Sequence, residues 1–207
     1  MAGEKQQQQP EAELVLLDFW VSPFGQRCRI ALAEKRLAHE YLEQELLGTK
    51  SDLLLRSNPV HKKVPVLLHS GRPVCKSLVI IAYLDEAFPD ASPSCSPPTP
   101  TRARARFWAA YSDKDYEAGT WLWKLKGDAR AQARYEIVRV LGSLDAELGD
   151  KEFFDGDVFG LVDIALVPFA PTWARRCAER ESVAKTLYPP EKVDEFITLL
   201  KKVYGIE

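Results

Sequence analysis

The 207-residue chain lacks any apolar stretch long enough to cross a bilayer. It also lacks a dense Lys/Arg run, and its formal net charge is -2. Neither nucleic acid nor an anionic membrane surface is therefore an expected partner. Cysteine is scarce: Cys28, Cys75, Cys95 and Cys177 are scattered, with no CxxC pair and no metal-type spacing. No metal site is expected, and isolated thiols of this kind fit a reducing cytoplasm. No GxSxG elbow is present, and His61 and His69 lie in other segments than the serine singled out below, so a nucleophilic-serine hydrolase is a poor fit. Residues 1–13 are Gln-rich and acidic without an apolar core, which predicts a disordered extension and not a secretion signal.

What is there is enough apolar content, 46% of residues, for a real core. The run Leu14-Val15-Leu16-Leu17-Asp18-Phe19-Trp20 has the length and content of a buried strand. Arg27 to Lys35 reads as a helix. Ser22-Pro23-Phe24-Gly25 therefore sits on a tight strand-to-helix turn, where Pro23 suits the bend and Gly25 permits close backbone approach. A helix N-terminus offers free N–H groups and the positive end of the dipole, which favour an anion such as a thiolate. Ser22 also reads as a plain helix cap.

Ala38 to Gln44 predicts a second strand, and Asp52 to Leu55 a helical turn ended by Asn58-Pro59. Val64 to Leu68 is a third strand, with Pro65 confined to its start or edge. Ser70-Gly71-Arg72-Pro73 turns the chain into Val74, and Ser77 opens a helix with Leu78, Ile81 and Leu84 on one face. Residues 14–89 thus form an α/β unit. Residues 90–100, rich in Pro and Ser, read as a linker. Residues 101–207 read as all helix: Thr101 to Trp123, Ala129 to Leu148, an almost wholly apolar Leu161 to Ala170, Thr172 to Leu187, and Pro190 to Val203. Arg102, Arg104 and Arg106 read as a solvated helix face, and Cys28 as a packed thiol.

Three segments, Val21-Ser22-Pro23-Phe24-Gly25-Gln26-Arg27, Asn58 to Leu67 and Ser77-Leu78-Val79-Ile80, resemble the tau-class cytosolic glutathione transferases of plants. The resemblance implies a thioredoxin-like N-terminal domain, an all-α C-terminal domain and a homodimer. It implies attack of the glutathione thiolate on hydrophobic electrophiles, in detoxification and stress response, with glutathione as co-substrate and no cofactor. Ser22 then becomes the catalytic hydroxyl, donating a hydrogen bond to sulfur. Val64-Pro65 becomes a cis bond that turns the Val64 backbone toward the peptide substrate. Lys63, with Lys50 as a second candidate, takes the glycyl carboxylate, although both also read as solvent charges. Ser77 receives the γ-glutamyl carboxylate. Phe24, Trp108, Tyr111 and, further along, Trp121 are expected to line the electrophile site. Gly160-Leu161-Val162-Asp163 resembles the capping box before the buried helix, a structural feature.

Two departures from that family stand out. Lys76 replaces the acid that normally meets the ammonium of glutathione. After Pro168-Phe169-Ala170 the chain runs directly into Pro171-Thr172-Trp173, where the family has another helix and loop. The helical domain is thus shortened, so that either an apolar patch is exposed where the missing helix would lie or the terminal helices shift to cover it. These departures keep open an alternative: a weakly active or non-catalytic ligand-binding protein of the same fold.

Overall fold

The computed structural model describes residues 13–45, 47–91, 101–113 and 125–206. The N-terminal extension up to residue 12, the body of the expected linker, the end of the first long helix and Trp121 lie outside the described residues.

The N-terminal half follows from its alternating apolar pattern. Strand β1 (Leu14–Asp18) leads through helix α1 (Pro23–Glu34) into β2 (Glu40–Glu43), which pairs with β1 in parallel. Helix α2 (Asp52–Ser57) leads to the hairpin of β3 (Val66–His69) and β4 (Arg72–Cys75), and α3 (Ser77–Ala87) follows. The sheet order is β2-β1-β3-β4, with both β3 pairings antiparallel. Ser70 and Gly71, at φ 48° and 75°, make the two-residue hairpin turn. Along β1 the side chains alternate. Leu14 and Leu16 join Ile30, Ile80 and Leu84 in the larger core, while Val15 and Leu17 pack with Leu54 of α2 and with Val66 and Leu68.

The helical half comprises α4 (Thr101–Tyr111), α5 (Gly127–Leu148), α6 (Leu161–Leu166), α7 (Pro171–Cys177), α8 (Glu181–Ala184) and α9 (Pro190–Tyr204). Helix α6 is buried along its whole length. Its Ile164 and Ala165 belong to the same apolar cluster as Ile30 and Ile80, so one core spans both halves. Helix α9 reaches back over the β1–α1 turn through Phe196, whose ring lies 5.5 Å from Phe19 and 5.6 Å from Trp20.

Several boundaries differ from expectation for identifiable reasons. Helix α1 begins at Pro23, one turn before Arg27, because Ser22 caps it and proline suits the first helical position. Strand β3 begins at Val66, beyond the donor-less Pro65. The Leu161–Ala170 segment is helical only to Leu166, since Pro168 cannot continue the ladder. The Thr172–Leu187 segment is two short helices, α7 and α8. Of the two outcomes expected at the shortened segment, an exposed patch is not seen along α6: Leu161 to Val167 are all at most 4% exposed. Helix α6 packs against α4 and α1, and Phe153, Phe154 and Phe159 of the preceding loop and Trp173, Ala174 and Cys177 of α7 belong to the same apolar cluster.

Candidate active site

Sheet register brings the serine turn, the cis proline and the start of α3 to one end of the sheet. Leu17 of β1 faces Val66 of β3, and Val66 faces Cys75 of β4. One step further along each strand are Asp18, Pro65 and Lys76. Just beyond them come the Ser22 turn, the Val64–Pro65 bond and Ser77. The Val64–Pro65 bond is cis, as expected.

Ser22 occupies the N-cap of α1, and its Oγ accepts from the Gly25 N–H at 3.1 Å. The Ser22 amide donates to the Phe19 carbonyl at 2.7 Å, which closes the turn. The hydroxyl proton is bonded to no acceptor among the described residues and is free for a ligand. Ser22 is 9% exposed, so the hydroxyl is sheltered by protein yet reachable.

The 58–63 loop is pinned by Asn58. Its side chain donates to the Lys63 carbonyl at 2.9 Å and accepts from the His61 N–H at 3.1 Å. Lys50 reaches the same loop, donating through Nζ to the Lys62 carbonyl at 2.8 Å. Lys50 and Lys63 are thereby brought to one rim; Lys63 and Lys76 are exposed, and Val64 is half-buried. Lys76 is the N-cap of α3 at φ 76°, in the left-handed region, and makes no side-chain cap. A non-glycine residue held there is strained, which is characteristic of ligand sites. Ser77, buried at the first position of α3, has first-turn N–H groups with no side chain capping them.

Beneath these groups lies Arg27, with a side chain that is 0% exposed. Its Nε donates to the Ala165 carbonyl at 2.8 Å, Nη2 to Ser112 Oγ at 3.2 Å, and Nη1 to Asp113 at 2.6 Å and to Ser77 Oγ at 3.5 Å. The guanidinium also lies over the rings of Phe169, at 4.7 Å, and Phe24, at 5.2 Å. Burial lowers the Arg27 pKa, and Asp113 opposes that shift. One side chain of α1 thus ties together α3, α4's C-terminal end and α6. Sequence reasoning missed Arg27 and Asn58. Arg27 looked like one charge among several on an amphipathic helix, and its partners are 50 to 138 positions away.

The expected electrophile wall is only partly assembled. Phe24 packs edge-on against Phe169, centroids 5.7 Å apart, beside Arg27. Trp108 and Tyr111 have partners elsewhere. Trp108 lines a separate cavity of about 200 Å³ with Phe154, Leu161 and Val162. The Tyr111 hydroxyl is 3.3 Å from Ser143 Oγ on α5. Residues 108 and 111 share a helix face with each other, and that face is turned to α5 and the 151–163 loop. Arg104 and Arg106 are exposed and paired with Glu147 and Glu86, which fits the solvated-face reading. Cys28 is fully buried, and burial raises its thiol pKa well above the ordinary value. Asp163 accepts from Gly160 N at 2.9 Å and Phe154 N at 3.2 Å, as a structural cap for α6.

Comparison with known proteins agrees with this arrangement. Residues 16–93 match the family model described as the glutathione S-transferase N-terminal domain, and residues 127–191 match that of the C-terminal domain. A probable glutathione S-transferase GSTU1 of Oryza sativa subsp. indica is 54% identical, covering 95% of this chain and 99% of its own. That alignment runs over 229 residues, so the relative carries positions without a counterpart in this shorter chain. A tobacco relative, probable glutathione S-transferase parC, is 44% identical over 94% of the chain. The crystal structure of rice GST1 in complex with glutathione superposes with a TM-score of 0.84, at 54% identity, over 93% of this chain and 99% of that one. A tau-class enzyme from mango, Mangifera indica, gives 0.83 at 37% identity, over 91% and 98%. The chain therefore belongs to the plant tau class of the glutathione transferase family.

Proposed function

We propose that the chain joins the thiolate of glutathione to hydrophobic electrophiles, with Ser22 as the group that stabilises the thiolate. The observation that carries this reading is the gathering of the Ser22 turn, the cis Val64–Pro65 bond and the uncapped start of α3 at one end of the sheet. A thiol with a pKa of about 8.5 is mostly protonated at neutral pH, so the catalyst must favour the anion. Ser22 donates its free hydroxyl proton to sulfur, and the N-terminus of α1 adds its positive end. Serine is too weak a base to take the thiol proton, which leaves for solvent. The sulfur then attacks carbon, and the electron pair passes to a leaving group or to the electrophile's acceptor atom.

The remaining roles follow from position. Val64 offers its backbone to the peptide in the manner of an added strand. Lys63 and Lys50 face the glycyl carboxylate, and Ser77 with the first-turn N–H groups of α3 holds the γ-glutamyl carboxylate. Lys76 supplies no acceptor for the substrate's ammonium. The electrophile lies against Phe24 and Phe169. Glutathione is a co-substrate, and this chemistry calls for no other cofactor because the thiolate is itself the nucleophile.

The same proposal includes a homodimer in the cytoplasm. Val60 and Val79 of the N-terminal half are 82% and 54% exposed and would gain from cover. The free thiols Cys28, Cys75 and Cys177 suit a reducing compartment. Retention on immobilised glutathione, followed by a conjugation assay with an aryl halide, tests the reading. Retention with turnover is expected. Absence of turnover, with weak retention or none, would refute the proposal and favour the ligand-binding alternative.

A further inference from the structure

Asp18 is an ionisable group where the pattern calls for an apolar one. The period of two along β1 puts it on the face of Leu14 and Leu16, beneath α1, and it is 0% exposed. Its Oδ2 pairs with Arg29 of α1, and its Oδ1 has no hydrogen-bond partner among the described residues. The same guanidinium donates through Nη2 to the Trp20 carbonyl at 2.9 Å. Arg29 therefore bridges the last residue of β1 and the middle of the turn that ends at Ser22. The carboxylate also touches the other side of that turn. A Cβ at Gly25 would lie only 1.7 Å from Asp18 Oδ1, so glycine is what lets the first turn of α1 settle on the carboxylate. Gly25 is the residue whose N–H bonds the Ser22 hydroxyl oxygen.

Other titratable groups surround the pair. Cys28 of α1 and Tyr41 and Glu43 of β2 act on Asp18, and the Tyr188 ring lies 5.9 Å from the Arg29 guanidinium. None but Arg29 brings positive charge to the carboxylate among these neighbours.

We propose that ionised Asp18, acting through Arg29, is the positioning residue that fixes the Ser22 hydroxyl for its bond to sulfur. Burial, opposed by Arg29, lifts the Asp18 pKa from 3.8 to about 6. A folded-state pKa above the unfolded value gives a stability contribution that is complete below 3.8 and lost as pH rises through about 6. At neutral pH the ionised carboxylate therefore costs stability, and a role in folding alone would be served better by an uncharged isostere. The charge holds the guanidinium on the Trp20 carbonyl. When Asp18 takes a proton, that hold weakens and the turn relaxes.

This inference rests on the glutathione transferase reading of Ser22, and the two fail separately. If Ser22→Ala leaves turnover unchanged, the Ser22 reading fails. If turnover depends on Ser22 but not on Asp18, only the clamp is refuted. The test compares kcat at saturating glutathione from pH 5 to 8 for wild type, Asp18→Asn, Arg29→Gln and the double variant. Each single variant is expected to be about tenfold slower at pH 7.5, the cost of a slightly misplaced group. The double variant should be no slower than either single, since both break one clamp. The wild-type advantage should shrink toward unity below about pH 5.5, where Asp18 in the wild type is itself protonated. The Asp18→Asn melting temperature at pH 7.5 should not fall below that of the wild type. Should that variant not fold, the pH dependence of Arg29→Gln decides alone. Unchanged turnover, additive losses, or a ratio that stays constant with pH would overturn the proposal.

Discussion

Replacing Arg27 with alanine should weaken the join between the two halves of the molecule more than any change at an exposed charge. The guanidinium is wholly buried and serves Ala165, Ser112, Asp113 and Ser77 at once. Alanine leaves the Ala165 carbonyl and the Ser112 hydroxyl without that donor in a dry place. It also removes the cation that lies over the Phe24 and Phe169 rings. Breaking a buried pair by deleting one partner costs about 3–5 kcal/mol. Asp113 is 43% exposed and can turn to water, which argues for the low end, about 3 kcal/mol. For a chain of this size that is a fall in melting temperature of about 6–12 °C. Urea unfolding followed by tryptophan fluorescence measures it directly. Arg27→Lys keeps a charge for Asp113 but loses the forked bonds to Ala165 and Ser112, so it should fall between alanine and wild type. An alanine variant within about 1 kcal/mol of wild type would show that the buried network contributes little.

Two further outcomes are expected. If Lys76 faces the ammonium of glutathione as proposed, Lys76→Glu supplies an acceptor for it. A charge-assisted bond of about 1.5–3 kcal/mol should tighten binding by one to two orders of magnitude. Calorimetry with glutathione and with an analogue lacking the amino group checks this: equal gains for both ligands would reveal only a general charge effect. Asp163 is pushed up to about 7 by burial, so its contribution to stability is complete below 3.8 and lost as pH rises through 7. Asp163→Asn does not titrate, and the stability gap between wild type and variant should narrow by about 2–3 kcal/mol from pH 5 to 8; a constant gap would contradict the assignment.

The sheet and the serine turn were legible because their determinants are local. Alternation along Leu14–Asp18, a cap followed by proline at Ser22-Pro23, and a Ser-Gly hairpin turn each act within a few residues. The carboxylate cap of α6 by Asp163 is local too, three residues from Gly160. Arg27 could not be read in this way, since its partners come from α3, α4 and α6. Asp18 did leave a signal: it continues the 14, 16, 18 face of a buried strand, and a carboxylate there needs an explanation. Trp108 and Tyr111 show the limit of aromatic spacing, because a helix face rich in rings serves packing or a ligand equally well. The covering of α6 also lay beyond pattern, since it comes from α4 and α1, which are distant in sequence.

The proposed activity depends on stabilisation of the glutathione thiolate by the Ser22 hydroxyl. Its most direct test is an ultraviolet titration of the thiolate of bound glutathione in wild type and Ser22→Ala. A bound-thiol pKa below the free value of about 8.5 is expected in the wild type. In the alanine variant it should rise by about 1–2 units, with a tenfold to hundredfold loss of turnover at neutral pH. A bound thiol that titrates identically in both proteins would rule out that role for Ser22.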